Sequence, residues 1–252
     1  MRWSFIDTGF NSGTFNMEFD GMLARRAEDE PGSAVLRVYG WNPPAVSIGV
    51  HQDENDFDAL ALKREGIDLV RRPTGGRAIL HSHELTYSVV MPVEELGPRE
   101  TYRFVGRCIL RALSVLGIAA TVSERDRGLG TDPHDPASVP CFSATARDEI
   151  QFEGRKLVGS AQRRFGRIVL QHGSILLGPQ HRRIAEFLSP SAGRSRPLIE
   201  EDLLNRTTDA ETILGRGVSY EECARAMRRG FELASGIRFE AQESGVPEIQ
   251  PA

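Results

Sequence analysis

Apolar residues recur along this chain with two periods, and the change of period marks out its elements. Alternating or β-branched runs bounded by glycine or proline occupy 2–7, 35–39, 45–50, 67–71, 85–91, 149–153, 156–160 and 168–177, and each predicts a strand. Glu153-Gly154 and Phe165-Gly166 separate the last three, so 149–177 predicts a three-stranded meander. Spacings of three and four appear elsewhere. Phe15, Phe19, Met22 and Leu23 stripe one helix, and a shorter one is expected near 56–65. Ile109, Ala112, Leu113 and Leu116 stripe a third that begins near Arg99. A fourth spans 219–234, with Ser219 and Glu222 spaced as a capping box ahead of Cys223, Met227 and Phe231. Strands fill the middle and helices flank them, which gives an α+β fold class.

Composition narrows the class further. With 252 residues, 40% hydrophobic and 26% charged, the chain reads as a soluble globule able to bury a core. No apolar run approaches the ~18 residues of a membrane span, and Met1-Arg2-Trp3-Ser4 begins no secretory signal. Three cysteines at unrelated spacings fit neither a disulfide framework nor a four-cysteine zinc site, so a reduced, cytoplasmic protein is expected. The net charge of −4 gives no general case for nucleic acid. Two segments run against it. Arg71, Arg72 and Arg77 stand within 71–77 without an acid, and 151–172 holds Arg155, Lys156, Arg163, Arg164 and Arg167 against Glu153 alone. Such a patch is either a solvated basic face or a site that receives something acidic. The stretch 124–140, polar with three prolines, predicts a long loop.

Three places carry candidate chemistry. In Arg71-Arg72-Pro73-Thr74-Gly75-Gly76-Arg77-Ala78-Ile79-Leu80-His81 a strand ends in two arginines before a Gly-Gly turn. That is either a tight hairpin with exposed arginines or a loop whose backbone amides approach an anion or polar head group. In Gly154-Arg155-Lys156-Leu157-Val158-Gly159-Ser160-Ala161-Gln162, alternation puts Lys156 on one face with Val158 and Ser160. It is an ordinary solvent-facing lysine there, or a cation over a substrate. Cys108 and Cys223 fall on or beside apolar stripes and read as buried hydrophobes. Cys141 instead follows Pro140 in an irregular segment, fifteen residues before Lys156, and a nearby ammonium would raise its thiolate fraction. His81 and His83 have no third ligand in view, so no metal is expected, and His172 lies in an apolar strand. No Ser-His-Asp arrangement, G-x-S-x-G elbow or phosphate-binding loop occurs.

Taken in order, the 71–81 run with Glu84-Leu85-Thr86-Tyr87-Ser88, the 154–162 run and Gln171-His172-Gly173-Ser174-Ile175-Leu176-Leu177 resemble three blocks of the biotin/lipoate protein ligase superfamily. The resemblance covers about 1–235. It is nearest to the octanoyltransferases of the LipM type, where a reactive cysteine precedes phenylalanine as Cys141 precedes Phe142. The resemblance implies a single catalytic domain over 1–252, core about 1–235, with mixed, mostly antiparallel sheets and no C-terminal accessory domain. It implies transfer of octanoyl from octanoyl-acyl carrier protein to a lysine of a lipoyl-domain protein, the glycine-cleavage H protein or a dehydrogenase E2. Cys141 would carry the acyl group as a thioester, and Lys156 would lower the thiol pKa and help hold the thioester carbonyl. Gly75 and Gly76 would line the acyl tunnel; Arg71, Arg72, Arg77, His81, Gly159, Ser160, Ala161 and His172 complete the implied substrate-binding set. No metal, cofactor, nucleic acid or membrane is implied. An ATP-dependent lipoate ligase of the same fold, which would use ATP and Mg, is the alternative; its relatives usually carry a third glycine where Arg77 stands and an accessory domain. An amidotransferase moving octanoyl between lipoyl domains, and a non-catalytic binder of acyl carrier or lipoyl domains, also remain.

Overall fold

The computed structural model describes residues 1–93, 96–123, 149–189 and 196–240. Cys141 and the expected 124–140 loop lie outside the described residues. β1 (Arg2–Asn11) leads into α1 (Gly13–Asp29), capped by Ser12 through a bond from the Phe15 amide, and β2 (Ser33–Trp41) returns parallel to β1. β3 (Ala45–Ile48), α2 (Ala59–Arg64), β4 (Asp68–Arg71), β5 (Ile79–His81) and β6 (Glu84–Pro92) follow. After α3 (Pro98–Val115) come β7 (Thr121–Val122), β8 (Ile150–Phe152), β9 (Arg155–Phe165) and β10 (Ile168–Leu176). A 3-10 segment, Pro179–Phe187, leads to α4 (Arg196–Arg206), α5 (Ala210–Leu214) and α6 (Tyr220–Ser235).

Two sheets result. The larger runs β1-β2-β6-β10-β9-β8-β7, and the smaller runs β4-β3-β5. β1–β2 and β3–β4 are parallel, and the remaining described pairs are antiparallel. The expected meander over 149–177 is β8-β9-β10, with Glu153 and Gly154 both at positive φ in the first turn. β6 and β10 are buried on both faces, because helices cover the large sheet on each side. One side packs Val105, Ile109 and Leu113 of α3 and Met227 and Phe231 of α6 against Leu36, Leu85, Tyr87 and Val89. α3 and α6 approach closely at Gly230, where a Cβ would meet the Ala112 backbone at 2.5 Å. Cys108 and Cys223 are buried in this layer, and burial pushes both thiols up to about 12. The other side packs Phe19 and Leu23 of α1 against Val90 and Leu170. The small sheet has its own core of Val46, Ile48, Phe57, Leu62, Ile184 and Phe187.

Several details depart from the pattern-based reading. Residues 71–81 do not close a hairpin, because β4 and β5 pair with opposite edges of β3 and the chain between them passes over the end of that strand. The helix near 56–65 begins as a 3-10 turn, Glu54–Asp56, and restarts behind the Asp58 cap as α2. β5, β7, α4 and α5 carried no periodic signal: three are five residues or fewer, and α4 leaves Leu198 and Leu204 exposed. Ser219 caps α6 by accepting the Glu222 amide, while the Glu222 carboxylate bonds Arg216. Among the described residues no helix is long and apolar enough to cross a membrane.

His181, within the 3-10 segment, is buried with its Nε2 2.8 Å from Thr207 Oγ1. Burial, then the Arg182 charge, pulls its pKa from 6.5 down to about 4. A histidine that stays neutral in the fold but takes a proton in the unfolded chain costs stability as pH falls below 6.5. Urea unfolding is expected to lose about 1 kcal/mol from this site between pH 7.5 and 5.5. His181→Gln should show a correspondingly shallower pH dependence, and equal slopes would refute the assignment.

Candidate functional site

The two sheets meet along a narrow cleft with largely apolar lining. Its inner end is formed by Trp41, Ser47, His81 and Thr86, all buried, and its outer end by half-buried Met17, Ser160 and Ala161 and exposed Gly76. The Trp41 indole lies flat on the His81 ring, centroids 4.0 Å apart. On the β9–β10 wall the residue must be glycine at 173, since a Cβ there would meet the Gly159 carbonyl oxygen at 2.3 Å and the Tyr87 ring at 2.9 Å. Beside it, Ser160 Oγ and Tyr87 OH are 2.7 Å apart.

The opposite wall is the segment that joins β4 to β5, and a buried cation organises it. Arg72, 4% exposed, donates to the Ser47 carbonyl and hydroxyl and to the carbonyls of Gly75 and Arg77. Gly76 takes φ +89°, a left-handed conformation glycine adopts without strain, and its carbonyl oxygen would lie 2.0 Å from a Cβ on Gly49. The loop therefore rests directly on the chain leaving β3. Arg71 turns outward, donating to the Gly49 and Gln52 carbonyls and pairing with Glu54 at 3.0 Å.

Two buried polar networks hold the walls. At the inner end, His81 bridges Ser47 Oγ at 2.7 Å and Glu84 Oε1 at 2.8 Å, and the same carboxylate oxygen accepts from Thr86 and Ser174. Trp41 Nε1 donates to Thr86. On the α1 side, Asp20 accepts from Arg37 at 2.7 Å, Ser88 at 2.7 Å and Tyr39 at 3.0 Å. His172 joins this group to the loop, with Nδ1 3.4 Å from Asp20 and Nε2 2.6 Å from Thr74 Oγ1. Burial alone would raise the Asp20 carboxyl; Arg37, then His172 and Ser88, outweigh it and hold it below the ordinary range. Burial likewise keeps the His172 imidazole below its ordinary range, against the pull of Asp20.

Lys156 sits deeper in β9 than the cleft wall. It is fully buried, with Nζ 2.5 Å from Glu149 Oε1, and its backbone bridges to Thr207. The β8–β9 register slips between Ile150 and Gln151, so Lys156, Leu157 and Val158 are all buried in succession and simple alternation does not hold.

The cleft thus gathers Arg72, Gly76, His81, Gly159, Ser160, Ala161 and His172 from the expected set. Gly75 and Arg77 belong to the same loop and Arg71 ends β4, all three outside the cleft wall, and Cys141 falls outside the described residues. Sequence reasoning passed over Asp20, Arg37, Ser47, Trp41 and Thr74. Asp20 and Arg37 did leave a signal, an acid beside the Phe19 stripe and an arginine inside a β-branched run. Replacing Asp20 by Ala leaves Arg37 buried without its carboxylate and should cost about 3–5 kcal/mol in chemical denaturation. A loss below about 1 kcal/mol would show that the pair does not organise the fold.

The sequence profile of the lipoyl protein ligase A/B catalytic domain matches residues 12–232. Octanoyltransferase LipM of Anoxybacillus flavithermus is 36% identical over 252 residues, covering 96% of this chain and 89% of the relative. Octanoyltransferase LipM of Symbiobacterium thermophilum is 39% identical, covering 94% and 87%, and that of Bacillus subtilis 35% identical, covering 98% and 91%. Among solved structures, a bipartite lipoate protein ligase from Thermoplasma acidophilum, studied with its E2 lipoyl domain, superposes with a TM-score of 0.75 at 21% identity, over 96% of this chain and 87% of that one. A lipoate-protein ligase A bound with ATP superposes at 0.69 and 23% identity, over 96% and 87%. At those identities the superpositions speak to the fold. The profile match and the relatives above 30% identity speak to descent, and on them the chain belongs to the lipoyl protein ligase A/B catalytic-domain family.

Proposed function

We propose that this protein is an octanoyltransferase acting in protein lipoylation, which carries octanoyl from octanoyl-acyl carrier protein to a lysine of a lipoyl domain. The observation that carries the reading is the shape of the cleft, an apolar slot open at Gly76, Ser160 and Ala161 and closed at Trp41 and His81, suited to one linear acyl chain. The names of the relatives point the same way. A thioester on Cys141 is the intermediate in this reading. The Cys141 thiolate attacks the donor thioester carbonyl and expels the carrier's thiol; the acceptor's lysine amine then attacks the new thioester, forming the amide and releasing the Cys141 thiol. No step as written consumes ATP. In this reading Lys156 supplies the charge that favours the thiolate and helps hold the thioester carbonyl. The basic segments 71–77 and 151–172 suit acidic carrier and lipoyl domains.

Intact-mass spectrometry after incubation with octanoyl-acyl carrier protein, without ATP, tests the route. A hydroxylamine-labile octanoyl adduct is expected, and it should be lost in Cys141→Ala. No adduct until ATP and free lipoate are supplied would assign the chain to the ligases instead. Octanoyl-lipoyl domain given as the donor in a parallel reaction tests the amidotransferase. Filling the cleft mouth with Ala161→Phe should slow adduct formation by about 10²-fold with the unfolding midpoint retained, as expected for a displaced acyl chain. An unchanged rate would place the chain elsewhere.

A further inference from the structure

We propose that the tip of the β9–β10 hairpin is the docking surface for the acyl donor, and that the groove beside it carries the donor's thioester arm to the cleft. The proposal rests on the transfer reading above and gives that reaction its donor surface. The partner it fits is an acidic carrier domain that holds its acyl group on a long, flexible pantetheine arm.

Charge singles out the hairpin tip. Arg163, Arg164 and Arg167 flank the Phe165-Gly166 turn, all three exposed and with no acid between them. Arg163 and Arg164 bond the carbonyls of Pro73 and Gly166, and neither pairs with a carboxylate among the described residues. Arg26, Arg183, Arg196 and Arg216 are exposed as well, yet each of them holds a glutamate. The Arg163 guanidinium also lies over the Phe165 ring, 4.8 Å from its centroid, which steadies the charge at the tip. An arginine cluster without acids of its own is complementary to an acidic surface.

A groove connects this tip to the cleft. Met17, Gly21, Ala24 and Glu28 follow one face of α1 and form one side of it, while Pro73 and Phe165 stand on the other. The α1 side spans about 16 Å from Met17 to Glu28. At its inner end the groove shares Met17 and Arg72 with the acyl cleft. At its outer end the hairpin abuts α1, since a Cβ on Gly166 would meet Glu28 Oε1 at 2.7 Å. The helix contributes Arg25 against Glu18 and Glu28, so the positive charge belongs to the hairpin. The Arg163 bond to Pro73, 2.7 Å long, ties the tip to the loop that walls the cleft and keeps docking surface and mouth in one relation.

Distance assigns the surface to the donor and not to the acceptor. Ala161 at the cleft mouth and Arg164 at the tip lie on the same strand, about 10 Å apart. A lysine amine must meet the acyl carbonyl at the mouth on a short side chain, so an acceptor domain has to sit over the mouth itself. A carrier domain seated at the tip reaches the same point because its thioester stands at the end of an arm. The groove gives that arm a track beside Met17, Ala24, Pro73 and Phe165, with its phosphodiester end toward the arginines.

The test measures amide formation on a lipoyl domain, with octanoyl-acyl carrier protein or octanoyl-pantetheine as donor. The variant is Arg164→Glu/Arg167→Glu, with Arg163 left in place because it also holds Pro73. It should raise the half-saturating concentration of octanoyl-acyl carrier protein about 30-fold at an unchanged maximal rate, and leave octanoyl-pantetheine unaffected. The wild-type kcat/KM for the carrier should also fall more steeply with salt than that of the variant. Gly21→Phe, which fills the groove midway, should slow both of these donors about 10-fold and spare octanoyl-N-acetylcysteamine, whose arm is cut short. An unchanged constant for the carrier, or an equal loss with octanoyl-pantetheine, in the arginine variant overturns the proposal and leaves the transfer reading intact. So does a rise in the half-saturating concentration of the lipoyl domain in place of the donor, or a Gly21→Phe protein that uses the carrier at the wild-type rate. Wild-type protein that uses neither octanoyl donor but attaches free lipoate with ATP removes the transfer reading and the proposal together. Should the glutamate variant fail to fold, Arg164→Gln/Arg167→Gln decides alone: a shift of about 5-fold confined to the carrier supports the surface, and no shift refutes it.

Discussion

The ion pair between Arg37 and Asp20 ties together more of this molecule than any other contact. Arg37 comes from the centre of β2 and Asp20 from the middle of α1, and both side chains are fully excluded from water. The guanidinium makes four hydrogen bonds, to Thr8, the Asn16 carbonyl and side chain and Asp20, and its faces lie over Phe19 and Tyr39. Desolvating two charges is tolerable only with such complete pairing. Asp20 in turn collects Ser88 of β6, Tyr39 of β2 and His172 of β10, and His172 reaches Thr74 in the loop over the cleft. A helix, three strands of the large sheet and the Gly-Gly segment are thus referenced to one carboxylate.

That arrangement explains how an apolar slot can open between two sheets without collapse. Its walls are pinned by polar groups that bond to one another and to the backbone. The Arg72 guanidinium holds the loop by its carbonyls, and the Glu84 carboxylate holds His81, Thr86 and Ser174 at the inner end. The apolar part of the lining comes from Met17, Tyr39, Trp41, Ile79 and the glycines of β9 and β10. Walls fixed by polar bonds suit a site for a flexible hydrocarbon chain, since the protein then loses little freedom on binding.

Much of the fold was legible in periodicity, because its long strands and helices each bury a defined face. The runs at 85–91 and 168–177 became β6 and β10, and the stripes through Phe19, Ile109 and Met227 became α1, α3 and α6. What stayed hidden was decided by partners distant in sequence. Nothing near 71–81 says that β3 lies between its two ends, so a hairpin was a fair local reading and a wrong one. The inward turn of Lys156 depends on a one-residue slip against β8, which alternation cannot foresee. The candidate site was legible where a loop needed glycine or a strand carried an isolated polar group, as at Gly76 and His172. Asp20 and Arg37 were harder to see, because a buried charge looks like a surface charge until its partner is known.

The clamp by Arg72 also bears on the order in which the molecule assembles. Its acceptors are the Ser47 carbonyl and hydroxyl on β3 and two carbonyls of its own loop, and Arg72 itself follows the end of β4. None of these can be in register until β3 and β4 have paired, and β3 and β4 pack on the large sheet through Leu176 of β10 and Tyr39 and Trp41 of β2. The cleft is therefore complete only when both sheets are in place, since β2, β6, β9 and β10 supply one side of it and the loop after β4 the other.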